Sequence, residues 1–288
     1  MTDHRSRSIE LPDGRSVGYA EYGDPNGVSV LYATGGNNSR LEAASFDAAA
    51  RSVGVRLIAI DRPGFGTSTF QPGRRFLDWV TDVDALLREL GLDRVYLLGL
   101  SGGAPHVLAV CHARPDRVVR AAVVNGAAPP GVPGAFHGMW PPIRVLYALA
   151  RWAPLPMLRA VQRAMSDPDR NFTPQNVQRL RPPDAELLSR RPDVLEDIKT
   201  SMREAHRPGY DGAAWEWRLY TRPWGFELAD VTTQVRMWYA EQDGNAPPAM
   251  GRYLAGALPH ATLQIVPDEA HLSLLVNHGA RVLADLIA

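Results

Sequence analysis

Gly99-Leu100-Ser101-Gly102-Gly103 places a serine between glycines, after the apolar run Val95–Leu98 and before a helical pattern over Gly102–Ala113. A sharp strand-to-helix turn of this composition lifts the serine hydroxyl into the open. It closes only if the residues two before and two after the serine are small. The helix start leaves the Gly102 N–H beside the hydroxyl, aimed at a developing oxyanion. A serine hydroxyl is a weak nucleophile until a base takes its proton, so a histidine and an orienting acid are expected further along, in the order serine, acid, histidine. Asp243 lies in Ala240-Glu241-Gln242-Asp243-Gly244-Asn245, after the apolar run Val235–Tyr239. His271 lies in Pro267-Asp268-Glu269-Ala270-His271-Leu272, after Thr262–Val266. Three loops leaving strands at one sheet edge thus carry Ser101, Asp243 and His271.

Other residues compete less well. Glu241 is nearer its strand and precedes the turn, His278 falls inside the last helical pattern, and His260 precedes the final strand. His106 and His112 sit on the helix that follows Ser101. A phosphate-binding reading of the glycine-rich turn would need G-x-x-x-x-G-K-[ST], and the single lysine, Lys199, is elsewhere. Cys111 reads as a buried helix residue, and Asp78, Asp82 and Asp84 read as a solvated helix face.

The elements that must position these residues alternate. Residues 8–20 and 28–34 read as strands, Leu41–Ser52 as helix, Val55–Ile60 as strand, Phe76–Leu90 as helix and Val118–Val124 as strand. This predicts an α/β fold with a doubly wound, mostly parallel sheet. From residue 129 the chain turns rich in Pro and Arg, with helical stretches around 143–165, 174–180, 184–205 and 211–220 and no strand pattern. Regular alternation returns at Val235, with helices expected at Ala249–Leu258 and His271–Ile287. The reading is a core of residues 1–128 and 229–288 and a helical cap of residues 129–228, inserted after strand six. Trp140, Trp152, Trp215, Trp217 and Trp224 fall in the cap. Trp140, Trp215 and Trp224 are candidates for an apolar substrate pocket.

With these residues in place, the chain resembles the α/β-hydrolase superfamily, closest to a bacterial serine-hydrolase subgroup with a helical cap. The resemblance rests on Asp61-Arg62-Pro63-Gly64-Phe65-Gly66-Thr67-Ser68, Ser101-Gly102-Gly103-Ala104-Pro105, Pro115-Asp116-Arg117-Val118, Pro223-Trp224-Gly225-Phe226 and Pro267-Asp268-Glu269-Ala270-His271-Leu272. One motif departs. Where the family carries H-G-x-P-G-S-R, this chain has Thr34-Gly35-Gly36-Asn37-Asn38-Ser39-Arg40. The resemblance implies that the Gly36 N–H is the second oxyanion donor beside Gly102, with Asn37 and Asn38 facing the substrate. It implies an esterase-like enzyme without a cofactor, acting on a partly apolar ester, lactone, thioester or C–C bond next to a carbonyl. The altered loop leaves open a non-hydrolytic alternative, a biosynthetic cyclase or lyase or a ligand receptor on the same fold. Dimerisation of relatives makes a homodimer an expectation too.

Bulk properties limit the partners. The 31 basic and 31 acidic residues of the 288 cancel. That balance argues against nucleic acid and anionic membrane as partners and leaves a small-molecule substrate. One cysteine excludes an intrachain disulfide, and no Cys/His spacing suits a metal. The N-terminal residues lack an apolar signal core, so a cytoplasmic location is expected.

Overall fold

The computed structural model describes residues 6–288. Eight strands form one sheet: β1 (Arg7–Glu10), β2 (Ser16–Gly23), β3 (Val28–Ala33), β4 (Val55–Ile60), β5 (Val95–Leu100), β6 (Val118–Val124), β7 (Val235–Ala240) and β8 (Ala261–Val266). Their spatial order is β1-β2-β4-β3-β5-β6-β7-β8. β1 and β2 pair antiparallel, β2 joins β4 antiparallel, and every later pair is parallel. The expected α/β sheet is therefore present, with an antiparallel hairpin at one end.

The parallel strands are mostly apolar, above all in their C-terminal halves, because helices cover both faces. One face packs Leu31, Ile58, Leu97 and Val123 against α2 (Trp79–Glu89) and α3 (Ala104–Ala113). The other packs Tyr32, Leu57, Leu98 and Val124 against α1 (Asp47–Ser52) and α12 (Ser273–Ile287). α11 (Pro248–Ala257) lies over β7 and β8. The helix expected over Leu41–Ser52 is a 3-10 turn, Arg40–Phe46, that passes into α1.

Seven helices and no strand lie between β6 and β7: α4 (Pro141–Trp152), α5 (Leu155–Met165), α6 (Pro168–Asn171), α7 (Pro174–Val177), α8 (Pro182–Arg190), α9 (Pro192–Ala205) and α10 (Asp211–Tyr220). Two stretches that read as single helices are split. The break at Ala153-Pro154 separates α4 from α5, and Pro192 starts α9 after α8. Proline lacks the N–H an interior position needs but suits a first turn, and six of the seven begin with a proline in that turn.

The expected solvated acidic face on α2 is only partly so. Asp82 is buried and takes both guanidinium nitrogens of Arg15 at 2.8 and 3.1 Å. The helix spacing said which side Asp82 faces. The β1–β2 hairpin decided what covers it.

Candidate active site

The sheet order decides where the site forms. The chain runs from β3 to β4 on one side and then crosses back to β5 on the other, so the loops after β3 and β5 diverge from adjacent strands and leave a crevice between them. The loop after β3 carries Thr34–Asn38, and the turn after β5 carries Ser101.

Ser101 has φ +52°, a left-handed backbone that a non-glycine residue rarely takes. Its glycine neighbours are required by close approach. A Cβ on Gly103 would stand 2.2 Å from the Ala33 carbonyl oxygen, and one on Gly99 would stand 2.9 Å from Val107. A Cβ on Gly102 would meet the Tyr220 hydroxyl at 2.2 Å and the Gly36 nitrogen at 3.3 Å. Gly36 and Gly102 are thus neighbours across the crevice, as an oxyanion site formed from both loops needs. Of the two asparagines that replace the family's Pro-Gly, Asn37 takes φ +61°. Asn38 gives its amide to Glu42 Oε1 at 2.6 Å.

On the far side of the crevice, His271 Nδ1 lies 2.7 Å from Asp243 Oδ2. The other Asp243 oxygen accepts the N–H groups of Asn245 and Ala246 at 2.6 and 3.0 Å, which fixes the carboxylate plane. Burial alone would lower the His271 pKa. The Asp243 charge and hydrogen bond, with smaller contributions from Asp184 and Glu42, outweigh it and hold the imidazole above its ordinary value. Ser101 and His271 line the same cavity without a hydrogen bond between them. Glu241 is exposed, His260 is exposed, His278 pairs with Glu269 at 2.9 Å, and His112 stacks on Phe226, so none of these competes for Ser101. Cys111 is buried, and burial pushes its thiol up to about 12.

Several residues that build the site carry no local signature. Asn125, with φ +46° at the end of β6, accepts the Ala240 N–H at 2.8 Å and gives its amide to the His271 carbonyl at 3.1 Å. It ties together the loops that carry Asp243 and His271. Asp184 on α8 accepts the N–H groups of Leu272 and Ser273 at 3.0 and 2.9 Å and so caps α12 from the insertion. That cap lets α12 start at Ser273 and leaves His271 in the loop before it. Glu42 is buried and accepts Tyr32 Oη at 2.7 Å and the Gly35 N–H at 2.8 Å, bracing the loop that holds Gly36. Burial raises the Glu42 pKa against the pull of these donors and of Arg62.

A second buried cluster lies under the same crevice. Arg62 donates to Glu216 at 2.7 Å and to the Thr34 carbonyl at 2.6 Å, and Arg74 reaches Glu216 at 3.0 Å. The Tyr220 hydroxyl lies 2.9 Å from Glu216 and 3.1 Å from the Gly102 carbonyl oxygen. Burial would raise Glu216, but Arg62, His106 and Arg74 bring it down to about 2. Burial brings the adjacent His106 down to about 3, so it is neutral near pH 7. Glu216 and Tyr220 belong to α10, so this helix is wired to the loops after β5 and β3, through Tyr220 to Gly102 and through Arg62 to Thr34. The Asp-Arg-Pro-Gly motif was legible, but the partner of its arginine, 154 residues later, was not.

The cavity encloses about 280 Å³ and is lined by both loops, His271 and apolar residues of the insertion such as Ile143, Phe172, Ile198 and Trp217. Asn37 and Asn38 line it. The tryptophan expectation is corrected. Trp217 lines the cavity, whereas Trp140, Trp215 and Trp224 do not. Trp224 is buried against Phe76, Trp215 donates to the Arg74 carbonyl at 2.8 Å, and Trp140 stands beside Gly244. Helical register places Trp215 and Trp217 on different sides of α10, and composition could not say which side faced inward. Among the described residues, no group of His, Cys, Asp and Glu is arranged to hold a metal ion.

Comparison with known proteins agrees with this architecture. No curated protein matches the chain by sequence. Among solved structures, a bromoperoxidase from Bacillus anthracis superposes with a TM-score of 0.71 at 17% identity, covering 98% of both chains. An enol-lactonase from Burkholderia xenovorans gives 0.70 at 21% identity over 98% of this chain and 99% of that one. A hydrolase from Pseudomonas aeruginosa gives 0.70 at 19% identity over 98% of both. At these identities the likeness is one of fold. The family model described as alpha/beta hydrolase fold matches residues 29–278, from β3 into α12, and the chain belongs to that family.

Proposed function

We propose that the protein is a serine hydrolase in which Ser101 is the nucleophile, His271 its base and Asp243 the group that orients the base. The observation that carries this reading is the strained Ser101 at the tip of the β5–α3 turn, sharing a cavity with a histidine held by a buried aspartate at 2.7 Å. His271 takes the hydroxyl proton as Ser101 Oγ attacks the substrate carbonyl carbon. The Gly36 and Gly102 N–H groups stabilise the oxygen that becomes negative, and Asp243 stabilises the imidazolium. The imidazolium returns its proton to the leaving group as the bond to it breaks. Water, deprotonated by the same imidazole, then releases the acyl group.

The cavity supports an uncharged, partly apolar acyl substrate. Among the described residues no arginine or lysine lines it, while the carboxylates of Glu42 and Glu216 do. A substrate carboxylate would enter without a counter-charge and lose its hydration. Esters, lactones and thioesters with apolar acyl groups fit. The helices between β6 and β7 act as the cap that gives the cavity its apolar wall.

The test is labelling with a fluorophosphonate on the native protein and on Ser101→Ala and His271→Ala. Labelling of the native protein alone is expected. An unlabelled but folded native protein would overturn the reading and favour a ligand-binding or lyase role for the loop of Thr34–Asn38.

A further inference from the structure

Charge is balanced over the chain but not along it. Between Asp116 and Asp167 the sequence contains no acid and six arginines, four of them on α4 and α5: Arg144, Arg151, Arg159 and Arg163. The same two helices turn an apolar stripe outward. Val145, Leu149 and Trp152 recur at i, i+4 and i+7 on α4, and Met157, Val161 and Met165 at i, i+4 and i+8 on α5. Five of the seven large hydrophobic side chains exposed among the described residues are here, and Trp152 is 80% exposed. A groove between the helices has only apolar side chains in its walls, and Met165 lines both this groove and the catalytic cavity. Arg144, Arg151 and Arg163 are exposed with no carboxylate partner among the described residues. Arg151 stacks over the Trp152 ring at 5.2 Å.

We propose that the outer face of α4 and α5 docks on an anionic lipid surface. Its apolar stripe would enter the headgroup boundary, and its arginines would lie against lipid phosphates. No helix among the described residues is long and apolar enough to cross a membrane, so the association is peripheral. The zero net charge argues against such a surface only when the charges are mixed, and here α4 and α5 carry no acid of their own; Arg159 pairs with Asp211 of α10, and the other three arginines have no carboxylate partner among the described residues. A second copy meeting this face by two-fold symmetry would set arginines against arginines. Trp152 protrudes with its stacked arginine, the form of an interfacial anchor, which favours a lipid surface over an acidic protein. Docking there would bring the groove, and the Met165 boundary of the cavity, to the source of an apolar substrate.

The test is co-sedimentation of the full chain with phosphatidylcholine vesicles and with mixed phosphatidylcholine–phosphatidylglycerol vesicles, read with tryptophan emission. Partitioning at least about tenfold stronger onto the anionic vesicles is expected, lost in about 0.5 M salt where screening falls to a few ångströms. Trp152→Ala and the pair Arg144→Glu, Arg163→Glu should each weaken it about tenfold with the melting temperature unchanged, since these side chains are exposed. Trp152→Ala should also remove the blue shift. Equal binding to both vesicles, binding to neither, or binding that survives both variants would overturn the proposal. So would a dimer in sedimentation velocity that Trp152→Ala dissolves, which assigns the face to a second copy. Binding of poly-glutamate as tight as that of the anionic vesicles would assign it to an acidic protein instead. The measurement involves no turnover, so its outcome is separate from that of the hydrolase reading.

Discussion

His271–Asp243 and Arg62–Glu216–Arg74 are both buried ionic groups under one cavity, yet the first raises an imidazole above its ordinary value and the second lowers a carboxyl far below its own. Asp243 faces one imidazole and two backbone N–H groups, and its charge and hydrogen bond outweigh burial and hold His271 above its ordinary value. Glu216 faces two guanidiniums, which bring it down to about 2. A base needs a partner that leaves its proton exchangeable, whereas a brace needs one that holds its charge state fixed. Under the proposed function, His271–Asp243 is the group that exchanges protons and Arg62–Glu216–Arg74 the one that holds the loops still.

Asp243→Asn should break the first group most severely. Turnover should fall about 10⁴-fold through the wrong imidazole tautomer, measured as kcat on a neutral ester. In the native protein kcat/KM should rise with pH, with a midpoint above the ordinary histidine value of 6.5, because the neutral imidazole is the active form. The same raised pKa gives stability that is full below the unfolded value and lost as pH rises through the folded one. A flat profile from pH 6 to 8 would remove His271 from the base role.

Glu216→Gln should break the second group through the fold. It leaves two buried guanidiniums without their carboxylate and should cost about 3–5 kcal/mol in denaturant unfolding at pH 7. The depressed pKa sets the sign. Stability from Glu216 is full above its ordinary value of 4.5 and is lost as pH falls toward about 2. The difference between native and variant should therefore persist down to pH 5 and shrink below it.

Tyr220→Phe sharpens the link between the two groups. The lost hydroxyl bond should cost about 1 kcal/mol of stability. With Gly102 less firmly held, kcat should fall about tenfold while KM stays constant, the pattern of a contact realised in the transition state. A change in KM alone would make Tyr220 a substrate contact. The smallest effect is expected at Glu241, whose exposed side chain faces neither group. Glu241→Gln should stay within about 0.5 kcal/mol and leave turnover unchanged, and a large loss would reopen the choice of acid.

Much of the core was legible because its determinants are local. The apolar runs of β4 to β8 and the glycines around Ser101 each fall within a few consecutive residues, although the contacts that require Gly102 and Gly103 come from Tyr220 and Ala33. The insertion was less legible. Its prolines divided helices that apolar spacing ran together, and its tryptophans faced in directions that depend on what α10 packs against. Asn125, Asp184 and Tyr220 went unremarked because each acts on a loop distant in sequence, and Glu42, only seven residues from Gly35, because its burial depends on the packed sheet.

The sequence by itself determined the strand-to-helix turn at Ser101, the order along the chain of Ser101, Asp243 and His271, and the alternating pattern that makes a parallel sheet. In each of these the backbone conformation or the periodicity is set by neighbouring residues. Only the tertiary structure decided that Glu216 neutralises Arg62, that Tyr220 covers Gly102, and that the acid-free stretch before Asp167 forms one exposed apolar and basic face. Those contacts depend on how distant segments meet, and burial, which makes an unpaired charge costly, acts only once they have met.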